Sequence, residues 1–128
     1  MCRPRIWRIM AGVPTMSGGE TVVPKYLWQI RYTPQGANGL LAEGGTGRRE
    51  TVRQLLERHG GSLEAFYYAF GSTDLYVIGE LPDEVTAAAI SLRTAVTGAV
   101  QSHTVVLLTP EQIDEAARRD VEYRAPGA

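Results

Sequence analysis

The sequence predicts an α+β domain whose elements run β-α-β-β-α-β, with a short helix after the last strand. Three observations lead there. Four short runs rich in aromatic and β-branched residues alternate with two longer stretches of helical spacing. Proline or glycine stands at nearly every junction between them. The pattern starts at Lys25 and fills most of the remaining chain, the span of one domain in a protein of 128 residues.

Each element has its own warrant. Tyr26 to Tyr32 (YLWQIRY) lies between Pro24 and Pro34 and reads as a strand. Thr33-Pro34 starts a helix, with threonine as N-cap and proline at the first helical position. Gly44-Gly45-Thr46-Gly47 should interrupt that helix, with Thr46 as the cap from which it resumes. It then continues as RRETVRQLLERHG, with Val52, Leu55 and Leu56 as its apolar stripe and Gly60 as its stop. Leu63 to Phe70 reads as the second strand and Gly71-Ser72-Thr73-Asp74 as a hairpin turn. Leu75 to Leu81 is the third strand, closed by Pro82. Asp83 caps the alanine-rich helix EVTAAAISLRTAV, which ends near Gly98. Val100 to Leu108 is the fourth strand. Thr109-Pro110-Glu111-Gln112 is a capping box that opens a helix to about Arg119. The order is that of a ferredoxin-like βαββαβ sandwich, two helices on one face of a four-stranded antiparallel sheet.

Composition narrows the function classes. Hydrophobic residues make up 44% of the chain and charged residues 21%, as in a globular domain. No stretch of about 18 apolar residues occurs, so no membrane partner is expected. The single cysteine, Cys2, fits a reducing, cytoplasmic setting. A net charge of −1 argues against a nucleic-acid partner, and Lys25 is the only lysine. Residues 1–24 stand apart, with Arg3, Arg5 and Arg8 against Glu20. They lack the apolar run of a secretory signal and read as a disordered tail or an over-long gene start. Residues 25–128 are then the single folded domain.

An open sheet face should be polar where it meets water. Here Trp28 and Ile30 alternate with Leu27 and Gln29, Phe66 and Tyr68 with Ala65 and Tyr67, and Tyr76 and Ile78 with Leu75 and Val77. Apolar side chains on both faces call for a second cover. A second subunit, giving a homodimer through the open face, is the expected one; the C-terminal helix folded over its own sheet is the alternative.

Several short motifs resemble the GYD domain family: Tyr26-Leu27-Trp28, Tyr32-Thr33-Pro34-Gln35-Gly36, Gly60-Gly61, Phe66-Tyr67, Gly71-Ser72-Thr73-Asp74 and Pro82-Asp83. The resemblance spans roughly residues 25–115. In the family pattern a tyrosine precedes the aspartate, and here Thr73 takes that place. The resemblance implies a ferredoxin-like fold of the dimeric α+β barrel type. It implies no particular activity.

Two groups of residues are candidates for chemistry. Gln29, Arg31, Tyr67 and His103 would line a pocket on the helix-free face, fit for a small polar or aromatic ligand. Imidazole beside phenol there would also suit proton transfer. Gly45, Thr46, Arg48 and Arg49 at the helix restart form a candidate anion site. Neither a metal site nor a cofactor is expected, because Cys2, His59 and His103 lack ligand spacing and no nucleotide-binding glycine motif occurs. Two functions follow: a small-molecule binding or sensing homodimer, or a cofactor-independent enzyme of isomerase or monooxygenase type. In the second, His103 or Tyr67 would be the acid–base group and Arg31 an anion anchor. No nucleophile paired with a base is visible, which favours binding.

Overall fold

A computed structural model describes residues 23–128. The expectations for Cys2 and the basic start lie outside the described residues. In chain order the elements are β1 (Lys25–Tyr32), α1 (Pro34–Glu43), α2 (Gly45–Arg58), β2 (Ser62–Tyr68), β3 (Leu75–Glu80), α3 (Glu84–Ala95), β4 (Val100–Leu107) and α4 (Pro110–Arg118). The strands form one antiparallel sheet in the order β2-β3-β1-β4. This α+β arrangement is compatible with a ferredoxin-like fold.

Local chemistry explains most helix boundaries. The Thr33 hydroxyl accepts the Gly36 N–H, the Asp83 carboxylate accepts that of Thr86, and Thr109 and Gln112 close a reciprocal capping box. Thr33 does more than cap: its hydroxyl also donates to the Gly98 carbonyl at 2.7 Å. That bond pins the start of α1 to the turn before β4. The chains come close enough there that only glycine fits at position 36, where a Cβ would lie 2.0 Å from the Ala99 oxygen.

Of the boundaries that differ from expectation, two have a clear local cause. The break between α1 and α2 is a single residue, Gly44, at φ 87°, and Gly45, Thr46 and Gly47 are already helical. Thr46 therefore does not cap; Gly44 does so with its backbone, its carbonyl accepting the Arg48 N–H at 3.1 Å. One left-handed residue suffices to redirect a helix, and glycine supplies it without steric cost. Strand β2 ends at Tyr68 rather than Phe70, because Tyr68 pairs with Leu75, the first residue of β3. Beyond it the chain must turn: the Ala69 N–H donates to the Asp74 carbonyl and Phe70 is exposed.

The core lies between the sheet and the helices α2 and α3. Tyr26, Trp28, Leu56, Leu75, Val77, Leu81 and Ala87 are buried, with Ile30, Tyr32, Val52, Leu63, Phe66 and Ile90 packed against them. Fully burying one of the larger apolar side chains contributes about 1.5–3 kcal/mol. A register shift between Leu63 and Ala65 leaves Glu64 unpaired in the ladder. The bulge puts Leu63 and Phe66 on the same, helix-facing side and frees Glu64 to pair with Lys25 on β1. Helix α4 contributes no buried residue, and its Ile113 is exposed. The alternative in which this helix covers the sheet is not what the chain adopts.

Candidate functional site

Strand alternation sorts the candidate residues. On β1 the side chains of Tyr26, Trp28, Ile30 and Tyr32 face the helices, so Lys25, Leu27, Gln29 and Arg31 face away. Pairing extends this face across all four strands. Tyr67 lies opposite Tyr76, Tyr76 opposite Gln29, and Gln29 opposite His103, forming one polar and aromatic row. A parallel row holds Ala65, Ile78, Leu27 and Val105, and Arg31 sits opposite Gln101. Tyr67 is 72% exposed, Tyr76 39% and Val105 38%, so apolar surface lies open here.

Gln29, Arg31, Tyr67 and His103 thus share the helix-free face. They do not converge within one chain. Tyr67 is on the edge strand β2 and His103 on the opposite edge β4, three strand spacings or about 14 Å apart. An imidazole–phenol pair between these two is therefore not formed in the protomer.

A cleft lies on the other face, between the helices and the sheet. Trp28, Ile30, Leu75, Val77 and Val100 form its floor; Val52, Leu55 and Leu56 of α2 and Ile90 of α3 form its walls. Its volume is about 80 Å³. Its polar lining residues are Tyr32 of β1 and Arg48 of α2, with Ser91 and Thr94 of α3 and Ser102 of β4. Burial, with the adjoining phenol of Tyr68, pushes the Tyr32 hydroxyl up to about 12. Burial also raises Tyr68, against the opposing pull of its hydrogen bond with Tyr32 and of the Arg48 charge. The Tyr68 hydroxyl donates to the Gly45 carbonyl at 3.3 Å, tying the end of β2 to the first turn of α2. Both phenols remain protonated at neutral pH and act as hydrogen-bond donors and acceptors, not as bases.

The candidate anion residues divide between two environments. Arg48 lines the cleft, whereas Gly45, Thr46 and Arg49 are exposed. Successive helical residues are about 100° apart, so Arg48 and Arg49 cannot address one ligand from the same side. Arg48 pairs with Glu43 across 3.6 Å, beyond hydrogen-bonding reach. Sequence reasoning passed over Tyr32, Tyr68, Ser91, Thr94 and Ser102. A usable signal existed in α3, where Ser91 and Thr94 break an apolar pattern at helical spacing beside Ile90.

Among the described residues, no three His, Cys, Asp or Glu side chains gather as metal ligands would. No described helix is long and apolar enough to cross a membrane. A four-stranded antiparallel sheet with helices on one face, a cleft beneath them and an opposite face that no other described element covers defines the class of protein. The GYD domain family model matches residues 26–117, and the chain belongs to that family. No curated protein matches the chain.

Proposed function

We propose that this protein is a small-molecule binding or sensing module that works as a homodimer joined through its open sheet face, in the cytoplasm. The observation that carries the binding reading is the mainly apolar cleft between α2, α3 and the sheet, with a few polar groups in its lining. The dimer reading rests on the row Ala65, Ile78, Leu27 and Val105, which α4 leaves open. The single cysteine supports the compartment. A cofactor-independent isomerase or monooxygenase has less behind it, since His103 and Tyr67, either of which would be its acid–base group, are on the helix-free face and not in the cleft.

Native mass spectrometry of gently purified protein tests both parts in one measurement. The expected result is a dimer that sheds a small organic molecule on activation. A monomer at micromolar concentration that binds no hydrophobic-surface dye would remove the dimer. A dimer that carries nothing, and whose melting point no small apolar compound raises, would remove the binding function.

A further inference from the structure

We propose that the cleft between α2, α3 and the sheet takes a small monocarboxylic acid with a compact apolar body, its carboxylate held by Arg48 beside the Tyr32 phenol. The inference rests on the small-molecule reading above and adds the chemical class of the ligand. Three observations support it. Among the described residues lining the cleft, Arg48 is the one with a charge, and it lies close enough to Tyr32 for its charge to act on that phenol. Its contact with Glu43 is long, at 3.6 Å, against about 2.7–2.9 Å for a charge-assisted hydrogen bond, so guanidinium N–H groups remain for a ligand. Glu43 is itself engaged by the Thr51 hydroxyl at 3.1 Å.

The α3 side of the cleft asks for no second charge. The Thr94 hydroxyl donates to the Ser91 carbonyl at 3.0 Å, and the Ser91 hydroxyl lies 3.2 Å from that of Thr104. With the Ser91 and Thr94 hydroxyls bonded inside the protein, an apolar end of the ligand costs little by lying against them. Size sets the remaining limit. The cleft measures about 80 Å³, roughly half the ~150 Å³ of a closed cavity that accepts benzene. The cleft therefore encloses a short branched chain or about half of a ring, and the rest of the ligand, its acid group included, lies toward the mouth. A single arginine, already sharing its charge with Glu43 at 3.6 Å, suits at most one further carboxylate; a phosphate dianion would lack counter-charge.

Calorimetric titration of the full chain with benzoate and with benzamide tests this, because the two share a body and differ in charge. Benzoate should bind at least about tenfold more tightly, the difference a charge-assisted hydrogen bond makes. Arg48→Met should weaken benzoate about tenfold and leave benzamide unchanged, and Val52→Phe, which fills the cleft, should weaken both. Equal binding of the two probes, or an Arg48→Met variant that holds benzoate normally, overturns the carboxylate assignment while leaving the binding function in place. Binding of neither probe overturns the assignment itself; the melting-point screen above then judges the binding function separately.

Discussion

Asp74 and Tyr32 join the β2–β3 connection to the end of β1: the Asp74 carboxylate accepts the Tyr32 backbone N–H at 2.9 Å. The Asp74 backbone N–H donates in turn to the Ile30 carbonyl at 2.9 Å. One residue thus extends the β1–β3 ladder by a step, its side chain replacing a backbone carbonyl. From composition alone Asp74 reads as a turn residue serving its own hairpin; its carbonyl does so by accepting the Ala69 N–H, and its carboxylate and N–H serve the neighbouring strand as well.

Asp74→Ala should cost about 1–3 kcal/mol, because a partly buried N–H loses its acceptor. Asp74→Asn keeps an acceptor oxygen and should recover most of that loss. Urea denaturation of the three proteins measures both effects.

Two glycines of α1 should respond oppositely to alanine. At Gly36 the new methyl would meet the Ala99 carbonyl oxygen at 2.0 Å, and the strain should cost about 1–3 kcal/mol or more. At Gly39 no atom lies within 4 Å, and the gain in helix propensity should stabilise by about 0.5–1 kcal/mol. Thermal melts should move in opposite directions.

The helix caps and the two-faced sheet were legible because both are short-range patterns. Thr33-Pro34, Asp83 and Thr109 with Gln112 act within three residues of themselves. Alternation alone assigns Gln29 and Arg31 to one face. The cleft was not legible, since it depends on how α2 and α3 sit over the sheet. Tyr32 and Tyr68 come together only because β1 and β2 flank β3 and end on the same side of it. The length of the break at Gly44 was equally hidden: a run of glycine and threonine is compatible with one broken residue or four.

Alkaline pH should weaken the fold. Tyr32, pushed up to about 12, favours the neutral phenol in the folded state, against about 10 for the unfolded chain. Its stabilising contribution is complete below about pH 10 and disappears as pH rises from there to about 12. The raised Tyr26 and Tyr68 act in the same direction. Denaturation midpoints at pH 9, 10 and 11 should fall progressively, and Tyr32→Phe should flatten that fall.

Ile78→Glu tests the proposed pairing face. Ile78 lies between Leu27 and Ala65 on the uncovered side, so a carboxylate there would be buried if two sheets met. Light scattering should show the wild type as a dimer and the variant as a monomer, with unchanged circular dichroism. An unaltered dimer would place the contact elsewhere.

His103→Ala and Arg31→Met should leave the fold intact, because both side chains are exposed. Neither should alter the affinity for benzoate, whose site lies on the other face. Loss of that affinity in both variants would move the ligand to the row through Gln29, Tyr67 and His103.

The position of β1 in the middle of the sheet sets the order of assembly during synthesis. Its eight residues face β4 from Lys25↔Leu107 to Tyr32↔Val100, so the first strand made closes against the last. The β2–β3 hairpin can form early from neighbouring residues. The far side of β1 stays an unpaired edge until residues 100–107 have left the ribosome. Any nascent chain stalled before that point carries an open strand beside an aromatic core, a natural substrate for chaperones.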